Sequence, residues 1–242
     1  MTRIGSGLRR TFGAVLAAGV VLGLAGAASA QEELNIYNWG EYINPEVLKR
    51  FEDETGIKVN LSVYNSNEEM LAKIQGGATG YDIVFPSVHM HDIMAKLDLL
   101  EETDINQYPG FANIDPAFLR AETDPEGKYC LPYAWGSVGI MYNRKVLGKD
   151  ITGWHDLVET VKEKNLKFTM LDDVRETMGV GLILNGHSIN STDPAELEQA
   201  ADTLIEMKPY VAAYTYDSRP MVVSGDVAAA HWFIGAMIDV FA

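Results

Sequence analysis

The chain has little cysteine, little positive charge and, beyond its first thirty residues, no long apolar run. Its single cysteine, Cys130, excludes an internal disulfide framework, so the fold must depend on a packed core. Hydrophobic residues make up 47% of the 242 residues, which is enough for a core of ordinary size. Lysine and arginine number 19 against 34 acidic residues, and the net charge is −15. That balance disfavours nucleic acid as a partner, because phosphates are bound by basic surfaces.

The first thirty residues have the pattern of a secretory signal peptide. Arg3, Arg9 and Arg10 precede an apolar run over residues 12–27, and Ala28-Ser29-Ala30 supplies the small residues of a cleavage site. The arginine pair also leaves the twin-arginine export route open, although the residues around it fit that motif poorly. We therefore expect a periplasmic protein, exported by the general route and without a membrane span once the signal is removed.

Strand and helix patterns alternate along the rest of the chain. Strands are predicted over residues 34–37, 57–63, 82–85, 138–143, 167–171, 211–215 and 227–232. Helices are predicted over residues 45–55, 66–74, 154–164, 173–185 and 194–207, several of them with a capping residue before the first turn. This alternation predicts an α/β fold with mostly parallel sheets and flanking helices. A loop-rich middle divides the chain into two predicted lobes, residues 31–136 and 137–242.

Candidate binding residues follow the predicted strands, where ligands of α/β sheets are bound. Aromatic side chains recur in these regions: Trp39 and Tyr42 follow the first strand, and Trp232 ends the last one. Tyr133 and Trp135 lie where the loop-rich middle meets the second lobe. Core packing explains any one of them, but the set together with nearby acids favours a binding surface.

Two of those acids begin a predicted helix. Asp173 and Glu176 share one face of its first turn. For Asp173, helix capping explains the residue nearly as well as binding does, whereas for Glu176 capping explains less.

Enzyme signatures are weak. Residues 186–190 (GHSIN) approach a nucleophile elbow around Ser188, but the last glycine is missing and a helix precedes the motif. Residues 179–181 (GVG) lack the third glycine of a dinucleotide loop. His89 and His91 lie two apart in a predicted loop, where ordinary polar residues are a better interpretation than a metal pair. We expect no catalytic residue, no metal and no cofactor.

The chain resembles the spermidine/putrescine-binding periplasmic proteins of bacterial ABC transporters. The resemblance depends on an ordered set of motifs: residues 37–42 (YNWGEY), 51–59 (FEDETGIKV), 64–68 (YNSNE), 81–87 (YDIVFPS), 132–136 (PYAWG), 171–176 (LDDVRE) and 191–194 (STDP). It implies a periplasmic-binding-protein fold of type II, whose two α/β lobes close on a ligand. It also implies a non-enzymatic receptor that passes polyamine to permease subunits and is a monomer at full length.

The resemblance further implies a ligand site of seven residues: Trp39, Tyr42, Ser87, His89, Asp173, Glu176 and Trp232. The aromatic residues would cover the methylene groups of the polyamine, and the two acids would pair with an ammonium group. Gly40 stands where the family commonly has a hydroxyl residue, and His89 stands where spermidine binders have tyrosine.

Two other functions stay open. One is the binding of another small organic cation, amino acid or metal complex by the same fold. The other is an exported serine hydrolase that uses Ser188.

The C-terminal segment predicts a longer chain. Residues 233–242 are apolar apart from Asp239 and carry no helix stop signal, and the family's later ligand residues have no counterpart here. We therefore expect both lobes to be incomplete and the native chain to continue past Ala242. The alternative is a shortened protein that completes itself by dimerising.

Overall fold

A computed structural model describes residues 32–77, 80–119, 124 and 127–234. Within them it contains seven strands: β1 Glu33–Trp39, β2 Lys58–Tyr64, β3 Ile83–Val84, β4 Val138–Tyr142, β5 Phe168–Met170, β6 Val211–Tyr214 and β7 Ala229–Phe233. The same residues contain eight α-helices: α1 Pro45–Thr55, α2 Asn67–Gln75, α3 Val88–Lys96, α4 Arg144–Leu147, α5 Trp154–Lys164, α6 Val174–Leu184, α7 Pro194–Met207 and α8 Arg219–Ser224. Short 3₁₀ turns occupy part of the predicted loop-rich middle.

The first sheet has the strand order β2-β1-β3, and both of its pairings are parallel. Tyr37 and Tyr64 point to one face of this sheet, where they pack on Met70 of α2 and on Met90 and Met94 of α3. All five side chains are buried. We call this sheet with α1 to α3 the first lobe.

The second sheet has the strand order β4-β7-β5-β6. β4 runs antiparallel to β7, and the other two pairings are parallel, so the sheets are mostly parallel as predicted. Its core joins Phe168 and Met170 of β5 to Leu157 of α5, Val180 of α6 and Met207 of α7. We call this sheet with α4 to α8 the second lobe. The predicted boundary between residues 136 and 137 stays a prediction.

Local capping signals define several helix ends. The Asn44 side chain accepts a hydrogen bond from the first turn of α1, and Gly56 ends that helix with a φ of 75°, a left-handed conformation that suits glycine. Asp193 caps α7 in the same way. The predicted bounds of α5 and α7 are confirmed at both ends.

The prediction that His89 and His91 lie in a loop is wrong, because both belong to α3. Met90 and Met94 of α3, four residues apart, face the first core, and this packing stabilises a helix that capping signals did not reveal. Residues two apart on a helix point in different directions, so the two histidines do not form the metal pair considered above.

The first sheet also leaves apolar side chains in solvent. Val47 of α1 is 47% exposed, and Leu61 and Val63 of β2 are 40% and 53% exposed. β2 is the edge strand of the first sheet in the described residues, and no buried side chain of α1 covers it. β2 forms close to its predicted range, but the side that carries Leu61 and Val63 is not buried.

No helix in the described part of the chain is both long and apolar enough to cross a bilayer. The predicted signal peptide, residues 1–30, lies outside the described residues. So does most of the C-terminal segment, from residue 235 onward.

Two glycines of α6 give a matched test of helix packing. A Cβ atom at Gly181 would lie 2.7 Å from the backbone oxygen of Ala200 in α7, whereas one at Gly179 would meet its nearest atom at 3.9 Å. We expect Gly181→Ala to lower the free energy of unfolding by about 1–3 kcal/mol, because the two backbones must separate. Gly179→Ala should leave it unchanged or raise it by up to about 1 kcal/mol through helix propensity. Urea unfolding of both variants measures this, and equal stabilities would contradict the close approach.

His231 of β7 should make stability depend on pH. Burial lowers the pKa of His231 from its ordinary value of 6.5 to about 4. Between those values the unfolded chain binds a proton that the folded chain does not, so unfolding becomes easier as the pH falls from 6.5 to 4. The full penalty is about 3 kcal/mol.

We expect His231→Leu to remove this dependence. When the pH falls from 7 to 4.5, the free energy of unfolding of wild type should therefore drop by about 2–3 kcal/mol more than that of the variant. Urea unfolding at both pH values measures it, and His155→Leu, at an exposed position on α5, is the control. An unchanged difference for His231→Leu would show that the histidine is protonated in the folded state without cost.

Candidate functional site: the cleft between the lobes

Aromatic rings from both lobes meet where β1 and β7 end. Trp39, the last residue of β1, lies 5.7 Å from Phe233 and 6.3 Å from Tyr216, measured between ring centroids. Trp39 and Tyr42 pack together against a buried cluster of the second lobe that includes Trp232. The structure therefore brings together three of the predicted residues, Trp39, Tyr42 and Trp232.

Tyr216 joins the two lobes directly, and the sequence analysis missed it. Its hydroxyl donates a hydrogen bond of 3.0 Å to the backbone oxygen of Gly40. Its own backbone oxygen accepts a hydrogen bond of 2.8 Å from Nε1 of Trp232. Burial raises the pKa of Tyr216. Tyr216 follows β6 as closely as Tyr42 follows β1, so the same rule of residues after strands would have selected it.

The predicted aromatic residues differ in accessibility. Nε1 of Trp39 donates a hydrogen bond of 2.9 Å to the backbone oxygen of Phe85, which fixes the indole in the first lobe. Trp232 is 1% exposed and lies in the core of the second lobe. Trp135 is 78% exposed and stacks on Phe118, so it lies on the surface.

Asp173 is buried, and both of its carboxylate oxygens accept hydrogen bonds. Oδ1 accepts from the backbone N–H of Glu176 at 3.0 Å, so Asp173 caps α6. Oδ2 accepts from the side-chain amide of Asn67, in the first lobe, at 3.1 Å. The capping interpretation of Asp173 is confirmed, and its carboxylate also forms part of the contact between the lobes.

Glu176 follows in the first turn of α6, and its carboxylate differs from that of Asp173 in its hydrogen bonds. Burial raises the pKa of Glu176, and the neighbouring Asp173 charge adds to this. Among the described residues, no hydrogen bond to the Glu176 carboxylate is formed, whereas Asp173 accepts two. The site thus contains one carboxylate that accepts two hydrogen bonds and one that accepts none from the described residues, with Arg175 as a nearby opposite charge.

Ser87 lies just before α3, and His89 lies in the first turn of that helix. Oγ of Ser87 accepts a hydrogen bond of 3.1 Å from the Asn67 amide. Nε2 of His89 is buried without a hydrogen-bond partner among the described residues. Burial lowers the pKa of His89, and Arg175 lowers it further, while Asp173 opposes the shift. The lowered pKa favours the neutral form of His89 at physiological pH.

Two cavities lie between the lobes, and they separate the predicted residues. One of about 180 Å³ is lined by Gly40 and Asn65 from the first lobe and by Tyr216 and Trp232 from the second. The other, of about 260 Å³, has His89 in its wall. Trp232 and His89, predicted to contact one ligand, thus line different cavities in this conformation.

The second cavity combines an apolar floor with acidic and basic groups. Met178 and Leu182 of α6 form part of the floor, while Glu68 and Arg175 lie in the wall. Burial raises the pKa of Glu68, with a further contribution from Asp173. In the described residues, no group of three or more histidine, cysteine or acidic side chains has a geometry suited to a metal ion.

The surroundings of Ser188 do not support a nucleophile elbow. Ser188 is exposed and follows the end of α6, whereas the elbow requires a strand before the serine. Its Oγ accepts a hydrogen bond from the backbone N–H of Asn190 at 3.2 Å. The nearby His187 directs Nε2 to Gln199 at 2.9 Å. A hydrolase mechanism therefore has no geometric support here.

Two α/β lobes that meet over an aromatic and acidic cleft are the architecture of a solute-binding protein. The chain belongs to the bacterial extracellular solute-binding protein family, whose model matches residues 46–240. Over 208 residues it is 40% identical to the spermidine/putrescine-binding periplasmic protein of Salmonella typhimurium, with 84% of this chain and 59% of that protein covered. The chain thus spans 59% of the length of this relative. A putrescine/cadaverine-binding protein of Pseudomonas aeruginosa is 32% identical over 222 residues, with 88% and 63% covered.

Solved structures confirm the two-lobed α/β fold. A putative spermidine/putrescine ABC transporter from Listeria monocytogenes is 36% identical, with a TM-score of 0.78. The match covers 86% of this chain and 64% of that one. The Tp0655 lipoprotein of Treponema pallidum is 33% identical with a TM-score of 0.74, and the shares are 86% and 66%. The family resemblance stated from the motifs is confirmed.

Asp173 both caps α6 and bonds to Asn67, so its removal should cost more stability than the removal of a residue that only caps a helix. Asp173→Ala removes the cap of α6 and leaves one N–H of the buried Asn67 amide without an acceptor, so we expect a loss of about 2–4 kcal/mol in unfolding free energy. Asp193→Ala removes the exposed cap of α7 and should cost about 1 kcal/mol. Urea unfolding compares the two, and equal losses would show that the contact with Asn67 adds nothing to stability.

Proposed function

We propose that this protein captures a polyamine outside the cytoplasm and delivers it to the permease of an ABC transporter. The observation that carries the proposal is the half-buried Glu176 carboxylate, which lies beside Asp173, accepts no hydrogen bond from the described residues and has a raised pKa through burial. A partly desolvated carboxylate that accepts no hydrogen bond is less stable than one in water, and an ammonium group from a ligand would offset that cost.

Aromatic rings at the contact between the lobes suit the rest of such a ligand. A polyamine alternates ammonium groups with short methylene chains, and aromatic faces both cover methylene groups and attract cations by roughly 0.5–2 kcal/mol per contact. Trp39, Tyr42 and Tyr216 supply such rings at the contact between the lobes. The net charge of −15 favours a cationic ligand over an anionic one.

The related proteins support this ligand class and the location. The relatives in Salmonella and Pseudomonas are named for binding spermidine, putrescine or cadaverine, and the first is periplasmic. Together with the signal-peptide pattern of residues 1–30, this supports a periplasmic receptor with permease subunits as partners. We propose a monomer, Trp39, Tyr42, Ser87, His89, Asp173, Glu176 and Trp232 as ligand contacts, and no catalytic activity.

Calorimetric titration of the full-length protein with a panel of putrescine, spermidine, a neutral sugar and a neutral amino acid tests the proposal. We expect binding of the amines alone. Glu176→Gln should weaken amine binding by about 1.5–3 kcal/mol, because a charged hydrogen bond is lost while the shape is kept. Glu159→Gln on the exposed face of α5 changes the net charge equally and should leave the affinity unaltered at moderate salt.

Three results would contradict the proposal: strongest binding of a neutral compound, no binding of any amine, or equal amine affinity in the Glu176→Gln variant and wild type. Preferential binding of a different organic cation would keep the site and change the ligand.

A further inference from the structure

The side chain of Asn67 connects the N-termini of three helices. Asn67 is the first residue of α2 and is 0% exposed. Its Oδ1 accepts from the backbone N–H of Ser87, and its Nδ2 donates to Oγ of Ser87, each at 3.1 Å. Its Nδ2 also donates to Oδ2 of Asp173 at 3.1 Å. Ser87 precedes α3 and Asp173 caps α6, so one amide joins the first lobe to the second.

This arrangement leaves little freedom in how the amide is oriented. The Ser87 backbone N–H requires an acceptor, and the Asp173 carboxylate requires a donor, so the oxygen and nitrogen of the Asn67 amide can face only one way. Both amide hydrogens are used. No ligand-binding role is implied for Asn67 by the family motifs, and it does not line either cavity between the lobes.

The contact between Asn67 and Asp173 exists only while the two lobes touch. Within the first lobe, the bonds of Asn67 to Ser87 hold the amide in place whether or not the second lobe is near. Within the second lobe, the bond from Glu176 orients the Asp173 carboxylate. The Asn67 amide and the Asp173 carboxylate are therefore each oriented within their own lobe before the lobes meet. Only the bond between Asn67 and Asp173 depends on the approach of the lobes.

We propose that Asn67 is a positioning residue that shifts the equilibrium between joined and separated lobes, and thereby sets how tightly the cleft retains its ligand. The proposal rests on the cation-binding function proposed above. Asn67 acts through Asp173 and not by touching the ligand. When it is removed, a buried carboxylate oxygen loses its donor, and separation of the lobes gives that oxygen access to water.

Substitutions at Asn67 should change the lobe separation in a graded order. Asn67→Ala deletes the donor, so the separated form should become more populated. Asn67→Asp places a second carboxylate about 3 Å from Asp173, and repulsion between like charges should separate the lobes further. Neither change alters a residue that lines the cavities.

An exchange of the two side chains distinguishes this role from a general effect on folding. In the Asn67→Asp/Asp173→Asn double variant, the carboxylate introduced at position 67 accepts hydrogen bonds from the backbone N–H of Ser87 and from the amide introduced at position 173. The oxygen of that amide accepts the hydrogen bond from the backbone N–H of Glu176. The bond between the lobes is remade in the opposite direction, with one buried carboxylate as before. The double variant should therefore return to the wild-type lobe separation.

Pulsed electron–electron double resonance in the full chain measures that separation without any ligand. Cys130→Ser removes the native thiol, and spin labels at Lys49→Cys on α1 and Lys162→Cys on α5 report one exposed position in each lobe. We expect a shift of the distance distribution in Asn67→Ala, a larger shift in Asn67→Asp, and recovery in the double variant. Unshifted distances in both single variants, or no recovery in the double variant, would overturn the proposal.

Asn185→Ala is the matched control. Its amide also makes several hydrogen bonds, to Gly181, Thr203 and Gln199, but all of them stay inside the second lobe. We expect a lower melting temperature and an unchanged distance distribution. A shift as large as that of Asn67→Ala would assign the effect to lost stability and overturn the proposal. If Asn67→Ala does not fold, the comparison of Asn67→Asp with the double variant decides the question.

Titration with putrescine separates this proposal from the proposed function. Asn67→Ala should raise the dissociation constant about tenfold, because fewer molecules have joined lobes and a buried hydrogen bond is lost. If wild type binds no amine but the distances follow the expected order, the proposed ligand is wrong and the role of Asn67 stands. If putrescine binds Asn67→Ala as tightly as wild type, the proposed function stands and the role of Asn67 falls.

Discussion

The hydrogen bond between the Asn67 amide and the Asp173 carboxylate joins two lobes at a point that water does not reach. Both partners are almost fully buried, so each depends on the other for its polar groups to be satisfied. The bond from Tyr216 to Gly40 lies at the same contact between the lobes. Every candidate ligand residue belongs to one lobe or the other, and these two bonds are part of what holds the two sets together.

Burial at this contact gives the two acids of α6 different chemistry. Asp173 is held by two hydrogen bonds, whereas Glu176 is half-buried, accepts no hydrogen bond from the described residues and has a raised pKa. The helix N-termini that meet here favour negative charge, which lets a carboxylate remain in a place with little water. The cleft therefore contains one carboxylate already oriented by hydrogen bonds and a second one that accepts none from the described residues.

Much of the fold followed from short-range patterns. The bounds of α5 and α7 were predicted at both ends, because caps and apolar spacing act within a few residues. α3 was missed because it has no side-chain cap bond and is stabilised by the packing of Met90 and Met94 on the first core. The exposure of Leu61 and Val63 was also missed, since alternation predicts the side on which residues point and not what covers that side.

The sequence by itself determined the α/β class, most of the elements, the family and the residues that follow strands, because these depend on local spacing and ordered motifs. Only the tertiary structure decided that Asp173 bonds to Asn67 across 106 positions and that Tyr216 bonds to Gly40 across 176. It also placed His89 and Trp232 in different cavities. The physical reason is that such contacts depend on how two separately formed sheets approach each other, and no pattern within a few neighbouring residues specifies that approach.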